Sequence, residues 1–230
     1  MKVAIFAVQY KAKNFDNAYV SPVPREFQSK VRIQLFDELI NHSRNNKIHL
    51  AILPGGFFRT NSPGGIANRL KHYPPKINVL VGWDNVAGDK REVWAIAKNG
   101  SITKRIPEAY EKNKSDKGKS KLINISDRSF QITNNMYSAY CCGDIIIDKR
   151  KFTYSKAAFV LAHFSAPGRS FTPAMRKLGI PTFLSHHVKK PSLKNNEYFA
   201  YNGGKLLKPI DEFKNTESQG LNWIARIYSV

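Results

Sequence analysis

Short runs of apolar residues, repeated along the chain, most constrain its fold. Residues 2–9 contain the continuous apolar run VAIFAV, which is typical of a strand buried on both faces of its sheet. Residues 48–53, 77–83 and 158–163 form further runs of this kind. Between the first two runs, the apolar residues of 24–45 recur at helical spacing and predict an amphipathic helix. The chain therefore opens in the β-α-β order of a layered α/β fold.

The remaining predicted elements are shorter and are separated by turn residues. Asn99-Gly100 suits a tight turn with positive φ and predicts a hairpin of strands 92–98 and 101–106. The lysine-rich segment 107–121 has few apolar residues and is predicted to be a surface loop. Segment 145–156 is ambiguous, a short helix being one interpretation. Further elements are helices 66–72 and 172–178 and strands 129–133, 136–142, 181–188, 198–201, 205–207 and 223–230.

The composition is that of an ordinary globular protein. The chain has 230 residues, of which 42% are apolar, and no linker-like or repeated segment divides it. We therefore expect residues 1–230 to form a single domain. No apolar run is long enough to span a membrane, and no convincing signal peptide precedes the first strand. We expect a cytoplasmic protein with no membrane partner.

The two cysteines are adjacent, which excludes the common structural uses of cysteine. Neighbouring cysteines cannot join distant parts of a fold, and a disulfide between them would be strained. Two cysteines with scattered histidines do not match a zinc pattern. We therefore expect two free thiols, and neither a metal nor another cofactor.

The formal net charge of +20 is the strongest compositional signal. A surface of that sign favours polyanions such as nucleic acid, or an acidic substrate. The excess of basic residues is spread along the chain, as a general bias towards lysine would produce, and no recognised nucleic-acid-binding motif is present. Nucleic acid is therefore kept as an alternative partner.

Polar residues that follow the predicted strands are candidates for a functional site, because reactive groups of layered α/β folds gather at the carboxyl ends of the strands. The residues expected to line a substrate pocket are Gly55, Asp84, Gly143, Asp144 and His163. The thiol of Cys142 precedes a glycine at the end of a buried strand and is a candidate nucleophile. Cys141 should point to the opposite face of that strand and is predicted to be a core residue.

The order of these motifs resembles the nitrilase superfamily, the carbon–nitrogen hydrolases. Residues 50–55 (LAILPG) resemble the family's strand that ends in Phe-Pro-Glu, and residues 94–102 (WAIAKNGSI) resemble its hairpin with Asp-Gly-Lys-Ile. Residues 140–144 (YCCGD) resemble the nucleophile motif Ile-Cys-Tyr-Asp/Glu, and residues 157–162 (AAFVLA) resemble the strand that follows it. The resemblance implies a four-layer α-β-β-α sandwich and, since family members often dimerise, a homodimer.

The resemblance also implies a chemistry. The family hydrolyses small amides or nitriles with a Glu-Lys-Cys triad, through a thioester or thioimidate. Cys142 then matches the nucleophile, and the backbone N–H of Gly143 would complete the oxyanion hole. The lysine of the triad is best matched by Lys112, with Lys104 and Lys114 as alternatives.

The chain departs from the family at the glutamate. Its position is occupied by Gly55, which has no side chain to act as a general base. Loss of such a base lowers a rate by about 100- to 10,000-fold. Asp84 and Asp144 are the nearest candidates for a replacement carboxylate. Three functions therefore stay open: a cysteine-dependent hydrolase, a degenerate relative that binds a ligand or partner, and a nucleic-acid-associated module.

Overall fold

The computed structural model describes residues 1–9, 25–85, 90–112, 120–122, 127–141, 144–147, 155–163, 168–188, 200–215 and 223–230. The helices are α1 (Arg25–Asn45), α2 (Pro63–His72), α3 (Asp144–Ile147) and α4 (Gly168–Lys177). The strands are β1 (Lys2–Gln9), β2 (Leu50–Ile52), β3 (Phe58–Arg59), β4 (Asn78–Asp84), β5 (Arg91–Ile96), β6 (Ile102–Pro107), β7 (Tyr110–Lys112), β8 (Ser120–Leu122), β9 (Ser129–Ile132), β10 (Asn135–Cys141), β11 (Ala158–Ala162), β12 (Thr182–Val188), β13 (Ala200–Asn202), β14 (Lys205–Leu206), β15 (Asp211–Asn215) and β16 (Trp223–Ser229). No helix within these ranges is long and apolar enough to cross a membrane.

Most of the strands belong to one large mixed sheet, whose main path runs β6-β5-β4-β2-β1-β12-β11-β10-β9. The strands from β4 to β10 on this path are parallel to their neighbours, and β5, β6 and β9 are antiparallel. β10 also lies against β5 and β6, so the two halves of the sheet face each other and the sheet is nearly closed. Because the central strands are parallel, their carboxyl ends meet at one edge of the sheet.

Buried apolar clusters separate four layers. The inner cluster fills the space between the facing halves of the sheet and includes Ile5 and Phe159. Helices α1 and α2 pack on the outside of one half through residues such as Leu39 and Leu70. Helix α4 packs on the outside of the other half, where Met175 is buried. This arrangement confirms the predicted α-β-β-α sandwich.

Strand β1 shows why this fold needs unbroken apolar runs. Val3 and Ile5 belong to the inner cluster, whereas Ala4 and Phe6 belong to the outer cluster under α1. All four are 0% exposed. Successive side chains of a strand point to opposite faces, so a strand covered on both faces is apolar at most of its positions.

The prediction of a surface loop over residues 107–121 is wrong near both ends of that segment. Tyr110–Lys112 forms β7 and Ser120–Leu122 forms β8, and these strands pair antiparallel as a separate two-stranded sheet. The pairing uses backbone groups and does not require an alternating apolar pattern, which this segment lacks. Strands β3 and β15 were likewise not predicted, and each pairs along one longer strand, β4 and β16 respectively.

Candidate active site

Polar residues meet at the edge of the sheet where the parallel strands end. Gly55 follows β2, Asp84 is the last residue of β4, and His163 follows β11. His187 lies near the end of β12, and Glu108 follows β6. The strand order and the facing of the two half-sheets bring these residues together, although they are far apart in sequence.

The turn at Gly55 and Gly56 is hydrogen-bonded to strands of both half-sheets. The N–H of Gly55 donates to the carbonyl oxygen of Ala162 at 3.2 Å. The N–H of Gly82, in β4, donates to the carbonyl oxygen of Pro54 at 3.1 Å. Gly56 has a φ of +61°, which glycine adopts without strain. The turn therefore connects β2 to β4 and to the end of β11.

There is no space for a side chain at Gly55. A Cβ atom there would lie 2.6 Å from the carbonyl oxygen of Leu161 and 2.9 Å from Nδ1 of His163. A Cβ atom at Gly56 would lie 2.8 Å from Oδ2 of Asp84. The His163 imidazole and the β11 backbone therefore occupy the space that a side chain at position 55 would need.

His163 and Asp84 form a buried pair. Nε2 of His163 lies 2.9 Å from Oδ1 of Asp84, and the two side chains are 2% and 6% exposed. An ionised carboxylate can only accept, so Nε2 carries the hydrogen and donates it. In the neutral ring this leaves the lone pair on Nδ1, the nitrogen that faces Gly55. The carboxylate thus fixes both the tautomer and the orientation of the imidazole.

Two further buried side chains hold the same turn. Nε2 of His187 donates to the carbonyl oxygen of Gly55 at 3.0 Å. Burial lowers the pKa of His187 to about 3, so its ring is neutral near pH 7. Nη1 of Arg32 donates to the carbonyl oxygens of Gly56 and of the next residue, at 2.5 and 2.7 Å. Burial lowers the pKa of Arg32 to about 10, an effect that Asp84 opposes, and the guanidinium stays charged near pH 7.

Asp144, one of the candidate replacement carboxylates, forms a buried ion pair and does not contact Gly55 through any hydrogen bond among the described residues. Its carboxylate accepts from Nη1 of Arg128 at 2.6 Å and from the N–H of Ala109 at 3.0 Å, and the side chain is fully buried. Burial raises the pKa of Asp144 to about 7, an effect that Arg128 opposes and Glu108 reinforces. Asp144 therefore joins the start of α3 to Ala109, which precedes β7, and to Arg128, which follows β8.

Glu108 is a member of this cluster that the sequence pattern did not single out. Its carboxylate pairs with Nη1 of Arg91 at 3.2 Å and is 12% exposed. Burial raises the pKa of Glu108, while Arg91 and His163 oppose the rise and Asp84 adds to it. Its position, two residues after the predicted strand 101–106, is the sequence signal that could have identified it.

Part of the predicted site lies outside the residues that the structure describes, namely Cys142, Gly143 and Lys114. Lys112 belongs to β7, and only its backbone is described. Nζ of Lys104 lies 3.0 Å from Oδ2 of Asp127, in an exposed ion pair. Cys141 is 1% exposed and packs in the inner cluster, which confirms that it is a core residue.

The arrangement is suited to proton transfer. An imidazole that donates to a buried carboxylate can accept a proton at its other nitrogen, and the carboxylate stabilises the imidazolium that forms. The described residues also contain no group of histidine, cysteine and carboxylate side chains positioned to hold a metal ion. Gly55, Asp84 and His163 are in direct contact and form the centre of the cluster.

Comparison with known proteins identifies the fold. No protein family profile matches the sequence, and no curated protein sequence matches it. Solved structures do match. A cysteine-to-serine variant of the Nesterenkonia AN1 amidase from the nitrilase superfamily superposes with a TM-score of 0.58 at 10% identity, covering 97% of this chain and 90% of that chain. The chain has the nitrilase-superfamily fold.

Two other structures of the amidase from Nesterenkonia sp. AN1 are similar to the same degree. A cysteine-to-alanine variant in complex with butyramide gives a TM-score of 0.61 at 11% identity, covering 98% of this chain and 90% of that chain. A glutamate-to-leucine variant, with the acetamide moiety of fluoroacetamide added covalently at the active-site cysteine, gives 0.59 at 11% identity over the same shares. These matches support the nitrilase-like fold that the sequence motifs predicted.

Replacing Gly55 by alanine should destabilise the protein. The added Cβ would lie 2.6 Å from the Leu161 carbonyl oxygen, a backbone atom that cannot move aside as a flexible side chain can. Overpacking of this kind costs about 1–3 kcal/mol. Urea unfolding of Gly55→Ala measures the loss.

Gly64→Ala is the matched control, because no atom lies within 4 Å of the Cβ position at this helical glycine. It should be neutral or stabilising by about 0.5–1 kcal/mol. A Gly55→Ala protein as stable as Gly64→Ala would contradict this close packing around Gly55.

The buried histidines should make stability depend on pH. Burial lowers the pKa of His187 to about 3, against about 6.5 in the unfolded chain. As the pH falls from about 6.5 to about 4, the unfolded chain binds a proton at this residue that the folded protein does not, so its contribution to stability is lost. Asp144 and Glu108, whose pKa values are raised, act in the opposite direction over this range.

The contribution of His187 is isolated by the His187→Gln variant, whose amide can still donate to the Gly55 carbonyl but does not titrate. We expect the variant to lose less stability than the starting protein between about pH 7 and about pH 5, by about 1–2 kcal/mol. Urea unfolding at both pH values gives the difference. An equal or greater loss in the variant would contradict a neutral buried ring.

Proposed function

We propose that the protein is a cysteine-dependent hydrolase of a small amide or nitrile. The observation that supports this is the buried polar cluster at the carboxyl ends of the parallel strands, in a chain with the fold of nitrilase-superfamily amidases. Cys142 directly follows Cys141, the last residue of β10. Cys141 lies beside Leu161 of β11, two residues before His163. The proposed nucleophile is therefore covalently attached to a strand that ends at this edge.

The proposed reaction is acyl transfer to a thiol, followed by hydrolysis. The thiol of Cys142 gives its proton to a base, and the thiolate sulfur attacks the carbonyl carbon of the substrate. The N–H of Gly143 and the ammonium group of Lys112 are proposed to stabilise the oxyanion. The C–N bond breaks, the nitrogen leaves with a proton as ammonia or an amine, and water hydrolyses the thioester to a carboxylic acid.

Small primary amides are the proposed substrate class. The amidase from Nesterenkonia sp. AN1 has been solved in complex with butyramide and, as a double variant, with acrylamide. Both ligands are short and uncharged, and both carry the carbonyl carbon and amide nitrogen that the proposed reaction needs. They are therefore the first compounds to assay with this protein.

A degenerate relative that binds a ligand or partner without hydrolysing it is the alternative. Gly55 supplies no carboxylate, and Asp144 and Glu108 are each paired with an arginine, as in a purely structural network. The net charge of +20 would make an anionic partner such as nucleic acid suitable for a protein of this kind.

Reaction with fluoroacetamide tests the proposed hydrolase. We expect mass spectrometry to find an acetamide group on Cys142 and the protein to release ammonia from butyramide. Cys142→Ala should abolish both. Cys141→Ala should retain both, because Cys141 is buried in the inner cluster.

The opposite result would favour a protein that binds a ligand without hydrolysing it. A folded protein that gains no acetamide on Cys142, and that releases no more ammonia than Cys142→Ala does, would favour the degenerate alternative. A gel-shift titration at low salt would then test nucleic acid as the partner, since binding driven by phosphate contacts is strongest there.

A further inference from the structure

We propose that His163 is the general base of this site, oriented by Asp84, and that it replaces the carboxylate missing at position 55. The inference rests on the proposed cysteine-dependent hydrolysis and assigns a residue to its proton transfer. A glycine at position 55 is then a requirement of the site, because it makes room for the imidazole.

The position of the imidazole supports this assignment. Nδ1 and Cε1 of His163 lie 2.9 and 3.0 Å from the point where a Cβ of residue 55 would stand. A basic nitrogen therefore lies where the first atoms of a side chain at position 55 would run. The turn itself cannot withdraw easily, because its N–H donates to Ala162 and its carbonyl oxygen accepts from His187.

Asp84 selects the nitrogen that accepts the proton. Its Oδ1 accepts from Nε2 of His163 at 2.9 Å, so the lone pair of the neutral ring is on Nδ1. When Nδ1 takes a proton, the imidazolium is paired at once with a carboxylate that is 6% exposed. The charge that forms in this buried place is thereby compensated. Asp84 acts through His163 and is a positioning residue.

The other titratable groups near the His163 imidazole form hydrogen bonds or ion pairs that do not involve this ring. His187 donates its Nε2 hydrogen to the carbonyl oxygen of Gly55. Glu108 and Asp144 are each paired with an arginine. Arg32 donates to the backbone of the turn and carries no lone pair that could accept a proton. Among the described residues of the cluster, His163 is the group whose chemistry and direction suit a base.

The proton would pass through a single ring atom. Nδ1 of His163 accepts the thiol proton of Cys142 as the sulfur attacks the carbonyl carbon. It then donates that proton to the leaving nitrogen as the C–N bond breaks and the thioester forms. Nδ1 next accepts a proton from the attacking water and returns it to the sulfur when the thioester breaks. The cycle ends with the thiol and the neutral ring restored.

The pH dependence of iodoacetamide labelling tests the base directly. In a Cys141→Ala background, Cys142 is the remaining thiol. We expect its labelling rate to titrate well below the ordinary thiol pKa of about 8.5. His163→Gln, whose amide can still donate to Asp84 but lacks the ring nitrogen, should slow labelling about 100-fold at about pH 6.5, because without a base only the small thiolate fraction set by the ordinary thiol pKa can react.

A second variant and a control show whether His163 acts as a base or has only a structural role. Asp84→Asn can donate to Nε2 and so place the hydrogen on Nδ1, and it should move the labelling profile towards the ordinary thiol pKa. His49→Gln is the control, because His49 is an exposed histidine at the opposite end of β2. Its labelling rate and profile should be those of the Cys141→Ala protein.

The outcomes distinguish this inference from the function on which it rests. Fast labelling that is unchanged in His163→Gln overturns His163 as the base and leaves the proposed hydrolysis standing. Labelling of the Cys141→Ala protein no faster than that of glutathione at every pH overturns both. If His163→Gln does not fold, the profile of Asp84→Asn decides: a shift towards the ordinary pKa supports the inference, and an unchanged profile overturns it.

Discussion

The packing of a turn without side chains against a buried imidazole–carboxylate pair determines the geometry of this edge of the sheet. Gly55 and Gly56 approach His163 and Asp84 so closely that a Cβ atom fits at neither glycine. The same turn is bonded to β4 in one half-sheet and to the end of β11 in the other. His187 of β12 adds a further bond. A change at position 55 would therefore affect both halves of the sandwich.

Charge at this edge is compensated in pairs. The pairs are His163 with Asp84, Glu108 with Arg91, and Asp144 with Arg128. An isolated buried charge is strongly unfavourable, and removal of one partner from such a pair is costly because the other charge is left unpaired. Since the partners in each pair come from different elements, the pairs fix the relative positions of those elements. Catalytic groups need this kind of rigid support.

The apolar pattern predicted the strands and the layers because a strand covered on both faces is mostly apolar, as β11 and residues 3–8 of β1 are. The same pattern gave no indication of β7 and β8, whose backbones pair with each other. It placed Asp84 and His163 at strand ends, but it could not pair them. The two residues are 79 positions apart, and their contact depends on how the half-sheets face each other. The position of Glu108 after predicted strand 101–106 was a signal, but its pairing with Arg91 of β5 could not be read from the pattern.

A crystal structure of the protein after reaction with fluoroacetamide would show whether Cys142 and His163 form one active site. We expect the acetamide group on Sγ of Cys142, at the edge of the sheet formed by Gly55, Asp84 and His163. Nδ1 of His163 should lie within hydrogen-bonding distance, about 3.2 Å or less, of the sulfur or of the acetamide group. An unmodified Cys142, or an adduct with the His163 ring turned away and Asp84 bonded to another group, would contradict the proposed active site.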